Sequence, residues 1–366
     1  MQPTIKTLLC FKRPPEGAYV GGFVTLCNDY IDKQSLFVAN GVSISCFNYE
    51  LPTDGFIGKI KNSKIQNIVY GLSQIQALKQ KLIYEPNTCI HIHTSRKALF
   101  FKDVILADSI RGLCKGRILM TVHVGDIDTV FHNSMTRRFL IGKLNKSVDK
   151  VLFLSERMRQ QFITAGLEEN RSAVLYNFYN IKEIAPSEKI PNKTVRLLYL
   201  GSINREKGII ELLSALNNSR NDFLIDICGS IIEPAITPLF KALLHQLGNK
   251  AIWHGYVDKA KKSELLRFAD ILVLPSYREG LPISIIEAMA TSCGVIATPV
   301  GAIPEILTEE NSIFVAPRDI NGLQKAIDRL IENPDLLDTM KESNFRKSRQ
   351  FKDSIHINKL CELYRQ

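Results

Sequence analysis

Short runs of apolar, β-branched and aromatic residues alternate along this chain with longer stretches of helical periodicity. A run of four to eight such residues reads as a buried strand and a 3.6-residue period as an amphipathic helix, so the alternation predicts βαβ units built around parallel sheets. The predicted strands of the first half are 5–11, 35–39, 43–47, 88–93, 117–123, 150–154 and 173–176. The second half restarts with 195–200, 223–228, 252–254, 271–274, 295–298 and 312–315. Between the two sets, Ile184 to Thr194 holds Pro186 and Pro191, many polar residues and no periodicity, and reads as a linker. The expectation is an α/β protein of two doubly wound domains, residues 1–185 and 186–350, with residues 351–366 helical. Open sheets of this kind bind ligands beyond the C-terminal ends of their strands.

A length of 366 residues at 45% hydrophobic content is more than one compact core needs, which agrees with two domains. The eight cysteines are scattered without paired short spacings and sit mostly inside apolar runs, as reduced thiols in a cytosol do. The first residues carry no signal-peptide pattern, and no apolar run approaches the roughly 20 residues a membrane span needs, so a cytoplasmic location is expected. Nine of the ten net positive charges fall within residues 1–185. That surplus fits an anionic membrane surface or a phosphate-linked acceptor, and equally a solvated basic face that serves solubility. Nucleic acid is not expected as a partner, because the basic residues are dispersed and no recognised binding motif accompanies them.

Candidate chemistry concentrates in the second half. Tyr277 to Ala290 sets Glu279 and Glu287 eight residues apart around the start of a helix that is otherwise apolar. Pro282 suits a helix's opening, and Glu287 falls among Ile285, Ile286, Ala288 and Met289, where an unpaired carboxylate would cost several kcal/mol. It should therefore face a polar cleft or a partner; the alternative is a surface Glu on an amphipathic helix. Upstream, Leu198 to Gly208 runs from a strand through Gly201 into a helix, with Arg205 and Lys207 in the turn. A helix N-terminus offers unpaired N–H groups and partial positive charge, a geometry that suits phosphate.

The first half offers weaker signals. Gly21 and Gly22 follow the first strand and permit close backbone approach to a phosphate or sugar. His123 closes the strand 117–123 ahead of Asp126, and a single strand-end histidine is otherwise a structural hydrogen-bonding residue. Asp126-Ile127-Asp128 spells a D-x-D pattern, which an acidic loop explains more simply than a metal site. His91 and His93 share one face of a strand without a third ligand nearby, so packing is preferred to metal ligation. Arg137, Arg138, Lys143, Lys146 and Lys150 interleave with Phe131, Phe139, Leu140, Leu144 and Val148, while Arg96, Lys97 and Lys102 flank Phe100 and Phe101. Either stretch suits a membrane surface or its own domain's core.

The run from Glu279 to Ala290, E-G-L-P-x-x-x-x-E-A-M-A, resembles the donor-site signature of family 4 glycosyltransferases, of the group 1 type. Lys207 and Gly208 match the family's G-R-x-x-x-x-K-G turn, with Ser202 in the arginine position, so that Arg205 would supply the second charge. Gly301 to Ile306 resembles its G-G-I-P-E-I, Asn177-Phe178-Tyr179 its N-G-V/F-D, and His123 to Asp126 its H-G-x-D. The resemblance implies a GT-B fold and a retaining hexosyltransferase. It would move a sugar from a UDP- or GDP-sugar to a hydroxyl of a glycan or lipid-linked saccharide in surface polysaccharide biosynthesis, with no metal or other cofactor. It assigns His123, Glu279, Lys207 and Arg205 to the reacting centre. Gly201, Arg205, Lys207, Glu279, Gly280, Leu281 and Glu287 fall to the donor, and Gly21, Gly22 and Asp126 to the acceptor side of the cleft. Helix 351–366 would pack back on the first domain, and the protein would lie in the cytoplasm or peripherally on the inner membrane face. Two alternatives share the architecture: a sugar-nucleotide epimerase, and a non-catalytic nucleotide-sugar-binding partner of another transferase, against which the intact acid pair argues.

Overall fold

The computed structural model of the chain describes residues 4–11, 22–48, 63–131 and 133–366. Contacts divide it into two units, residues 1–176 with 354–366, and residues 177–353. In the first, the described strands are β1 (Ile5–Phe11), β2 (Val42–Asn48), β3 (Cys89–Thr94), β4 (Ile118–Val122), β5 (Lys150–Phe153) and β6 (Ser172–Val174). They form one parallel sheet in the order β2-β1-β3-β4-β5-β6. The chain steps from β1 out to β2 and returns past β1 to β3. Its winding therefore reverses between β1 and β3, which is where open sheets open a crevice at their strand ends.

The second unit repeats the device. Strands β7 (Arg196–Leu200), β8 (Leu224–Cys228), β9 (Ala251–Gly255), β10 (Ile271–Leu274), β11 (Gly294–Ala297) and β12 (Ile313–Phe314) are ordered β12-β11-β10-β7-β8-β9. The reversal here lies between β7 and β10, with Leu197 opposite Ile271 and Leu198 opposite Leu272. Strands covered on both faces read as near-continuous apolar runs, and every residue of β10 is buried. The first core gathers Ile90, Ile92, Phe100, Met120, Phe153 and Phe162. The second gathers Leu197, Tyr199, Ile225, Phe240, Ile271 and Val273.

The helices that position the site are α1 (Gly22–Asp32), α2 (Gln34–Ala39), α3 (Ser63–Tyr84), α4 (Lys97–Ile110), α5 (Ser134–Ser147) and α6 (Glu156–Thr164) in the first unit. Those of the second begin with α7 (Ile209–Asn218), α8 (Thr237–Leu247), α9 (Lys259–Phe268), α10 (Ile283–Ala290) and α11 (Ile303–Ile306), followed by α12 (Ile320–Glu332) and α13 (Pro334–Ser348). One element differs in kind from the sequence reading. Residues 35–39, expected as a strand, lie in α2, where Phe37 alone is buried and Val38 is 57% exposed. The β-rich letters of that run bury one side chain in one direction, which a short helix does as well as a strand.

The segment read as a linker packs on the second unit. Ile184 N–H donates to Ala290 O at 3.0 Å, and Ser292 Oγ donates to Ile184 O at 2.6 Å. Helix α14 (Asp353–Arg365) joins the first unit. His356 Nδ1–H donates to Tyr176 O at 2.7 Å, which leaves its Nε2 to accept from Tyr30 Oη at 2.7 Å, and Tyr364 Oη lies 2.6 Å from His91 Nδ1. Among the described residues no helix is long and apolar enough to cross a membrane.

Candidate functional site

The turn after β7 is built by a cap and a glycine. Asn204 Oδ1 accepts from Lys207 N–H at 3.0 Å and closes the 3-10 turn Arg205–Lys207. Gly208 then takes φ +67, and a Cβ there would stand 2.1 Å from Pro275 O, so only glycine lets this turn lie against the strand end of β10. Tyr277 N–H donates to Glu206 O at 2.7 Å and ties the two turns together. The consequence is that Lys207 Nζ reaches Glu279 Oε1 at 2.6 Å, with the lysine side chain 26% and the carboxylate 9% exposed. The β7 and β10 turns thus place a cation and a carboxylate together at the reversal point of the sheet.

Arg205 turns elsewhere. Its Nε lies 3.2 Å from Glu233 Oε1, its backbone N–H donates to the same carboxylate at 3.0 Å, and its side chain is two-thirds exposed. Gly201 N–H belongs to the sheet edge, donating to Cys228 O at 3.0 Å. Gly280 O accepts from Ala302 N–H at 2.9 Å, and Leu281 O accepts from Asn177 Nδ2 at 2.7 Å. Gly301, at φ +59, is a second position where a Cβ does not fit, since it would meet Glu279 O at 2.1 Å. The loop that carries Glu279 is therefore held by one backbone and one amide donor, with Gly301 packed close against it.

Glu287 lies inside α10 and is 3% exposed. Its Oε1 is 2.5 Å from Lys262 Nζ on α9, which answers the demand that a carboxylate among Ile285, Ile286 and Met289 have a cation beside it. Lys262 is a residue that the sequence reading missed, and its position, on a different helix, gives no local signal. Asn204 was findable, because an Asn before a turn followed by a helix is an N-cap signature. Tyr277 was singled out only as the start of a run. Its hydroxyl donates to Glu211 Oε1, its ring lies under Arg318 at 4.7 Å, and burial, with Glu211 adding to it, raises its pKa to about 12.

In the first unit, His123 N–H donates to Thr94 O at 2.9 Å and its Nε2 lies 2.9 Å from His93 Nδ1. Burial, with His356 adding to it, lowers the His123 pKa to about 3, so the ring is neutral at pH 7. His91 is satisfied on both nitrogens, by Tyr364 Oη and by Thr121 Oγ1 at 2.7 Å, and its pKa is likewise lowered to about 3 by burial. Asp126 Oδ1 accepts from Asp128 N–H at 2.9 Å and caps the 3-10 turn Ile127–Thr129. Among the described residues no group of three or more His, Cys, Asp or Glu is arranged to hold a metal ion. Gly22 opens α1; Gly21 lies outside the described residues.

With this geometry in place, residues 180–347 match the family model described as glycosyl transferases group 1. A Bacillus subtilis (strain 168) protein named as a teichuronic acid biosynthesis glycosyltransferase is 27% identical over 239 residues, 62% of this chain and 59% of that protein. Among solved structures, sucrose-phosphate synthase from Thermosynechococcus elongatus superposes with a TM-score of 0.77 at 20% identity, over 99% of this chain and 98% of that one. Anabaena HepE, solved in complex with UDP and glucose, gives 0.70 at 16% identity over 98% of each. At such identities the structures speak to the fold, and the fold is GT-B. The second unit is a group 1 glycosyl transferase domain, which bears out the family resemblance of the Glu279 to Ala290 run. The chain spans less than two thirds of the length of the curated relatives it matches.

Proposed function

We propose that this protein transfers a sugar, with retention of anomeric configuration, from a nucleotide-sugar donor to a hydroxyl of a glycan or lipid-linked saccharide in surface polysaccharide assembly. The observation that carries the reading is the Lys207–Glu279 pair at the reversal point between β7 and β10, inside the region that matches the family. A lysine ammonium has three donors, and Glu279 takes one. The others are available to a donor diphosphate, beside the N-terminus of α7, whose partial positive charge has the same sign. Charge that develops on the leaving phosphate is then met by groups already in place. Glu279 accepts from hydroxyls of the donor sugar and Glu287 from the ribose hydroxyls. Arg205 serves the diphosphate by turning away from Glu233, and Gly201, Gly280 and Leu281 shape the backbone around it.

In the step itself, the bond from the anomeric carbon to the β-phosphate oxygen breaks. A bond from the acceptor oxygen forms on the same face, and the acceptor proton passes to the departing phosphate. His123 meets the reacting sugar as a neutral ring. No metal ion takes part in this scheme, and the bases with the helix N-terminus do the neutralising. The donor carries uridine or guanosine diphosphate; HepE, solved with UDP and glucose, supports a uridine donor. A surface polysaccharide acceptor is supported by the name of the Bacillus subtilis relative. Gly21, Gly22 and Asp126 contribute to acceptor binding, and the basic first unit docks on an anionic inner membrane face.

Thermal unfolding with millimolar UDP, GDP or ADP in EDTA tests the donor site, since a ligand at 100 times its Kd adds about 2.7 kcal/mol. A rise with one nucleotide alone is expected. A rise that requires Mg²⁺ or Mn²⁺ overturns the metal-free scheme, and no rise under either condition overturns the donor site.

A further inference from the structure

Asn177 opens the second unit, directly after Tyr176 of the first. It is 5% exposed, and its Nδ2–H donates at 2.7 Å to Leu281 O, 104 residues further along the chain. The other half of the amide, Oδ1, is buried without a hydrogen-bond partner. A reversed amide would set two oxygens at that distance, so the Leu281 carbonyl fixes which way the side chain lies. A buried polar atom left idle is a loss that an apolar side chain of similar size would avoid. What the amide contributes here is its N–H.

Leu281 is itself 4% exposed, and Pro282 after it has no N–H, so the Leu281 carbonyl is the one hydrogen-bonding group of that peptide unit. Pro282 also holds φ at −65 where the chain enters α10. A bond to Leu281 O thus pins the joint between the loop that bears Glu279 and the helix that bears Glu287. The carbonyl before it, Gly280 O, is taken by Ala302 N–H at 2.9 Å, and Glu279 Oε1 lies 2.6 Å from Lys207 Nζ. We infer that Asn177 is a positioning residue for the donor sugar, whose amide holds the Leu281 carbonyl and with it the Glu279–Pro282 loop in the shape that places the Glu279 carboxylate. Under the transferase reading, on which this role rests, Glu279 receives the sugar and Glu287 the nucleoside. Loss of the Asn177 N–H separates the two. The loop relaxes, while Glu287 stays in place because seven of the eight residues of α10 are buried.

The test compares Kd values for UDP and GDP with those for their hexose conjugates, by calorimetry on the full-length protein at pH 8 and pH 5. Asn177→Asp is isosteric, and its ionised carboxylate can only accept, so at pH 8 it meets Leu281 O with repulsion. The ratio of conjugate Kd to nucleotide Kd should rise about tenfold over wild type, with the nucleotide value kept within about twofold, because a lost buried hydrogen bond is worth about one power of ten. At pH 5 the ratio should return toward that of wild type at the same pH, since burial raises the pKa of a carboxyl and the protonated group donates again. A ratio unchanged at pH 8 overturns the proposal, as does a loss shared equally by nucleotide and conjugate, or a ratio that stays high at pH 5. Should Asn177→Asp fail to fold at pH 8, Asn177→Ala decides: its ratio should rise several-fold and alike at both pH values, and an unchanged ratio overturns the proposal. Wild-type protein that binds none of these ligands overturns the donor reading and this role with it. A failed ratio with nucleotide still bound overturns this role alone.

Discussion

Lys207 Nζ rests 2.6 Å from Glu279 Oε1, although 72 residues separate them along the chain. The pair exists because Gly208 admits Pro275 O and because Glu206 O receives the Tyr277 N–H, so the two turns can only be placed together. Lys207→Ala should reduce transfer at least about tenfold, equal to about 1.4 kcal/mol of transition-state stabilisation, with Glu287→Ala doing the same. Initial rates with a nucleotide-sugar panel measure this; full activity in both variants removes the site assignment.

Lys262 supplies the cation beside a carboxylate that is 3% exposed. Lys262→Met keeps the stem and deletes the charge, so it should lower stability by roughly 1–3 kcal/mol, the cost of leaving a buried polar group short of a partner. It should also weaken nucleotide binding through a displaced Glu287. Urea midpoints with and without UDP separate the two effects, and an unchanged midpoint would deny the pair any structural part.

Gly208 has a backbone conformation that costs an alanine about 1–2 kcal/mol before any clash is counted. A Cβ 2.1 Å from Pro275 O adds the need to move a strand end, so Gly208→Ala should lose at least that much stability and push the Lys207 turn off Glu279. Denaturant titration and nucleotide thermal shift together read both losses.

His91 and His123 carry folded pKa values near 3 against an ordinary 6.5, both lowered by burial. In the folded state the rings stay neutral, while the unfolded chain takes up their protons below about pH 6.5. Their contribution to stability is whole above pH 6.5 and is lost as pH falls toward 3, at up to about 1.4 kcal/mol per pH unit for each ring. Unfolding midpoints taken from pH 7 to pH 4 should fall accordingly. His91→Gln should make that slope shallower by one proton; an equal slope would mean the ring is charged in the fold.

Helix α5 presents Met135, 81% exposed, and Phe139, 50% exposed, on the same helix as Arg137 and Arg138. Co-sedimentation with phosphatidylglycerol-containing vesicles at low salt should retain the protein, and release it in high salt, because exposed charges are screened. Met135→Ser with Phe139→Ser should weaken retention several-fold. Retention equal to neutral vesicles would exclude the membrane role.

The sequence made the strands legible because most are buried on both faces, so that 8–11 and 271–274 show as continuous apolar runs. It misled at 35–39, where one buried Phe37 imitates a strand. Glu279 and Glu287 were legible because acids in an apolar frame demand an explanation. Lys262 was not, since its role depends on which helix lies alongside. Arg205 carried the right charge for a phosphate, yet its direction, toward Glu233, is fixed by a residue from the β8 end of the sheet that no spacing rule connects to it.

Tyr30 finds its acceptor on His356 and His91 its hydroxyl on Tyr364, in α14. A ribosome must therefore make the whole of residues 177–353 before the first unit can acquire these partners. The second unit, contiguous in sequence, is free to fold while the first still lacks a helix. The first part of the chain to be made is thus the last that can be completed. Until that last helix is made, Tyr30 lacks its His356 acceptor and His91 its Tyr364 hydroxyl, so the first unit's buried polar groups are completed only as the chain ends.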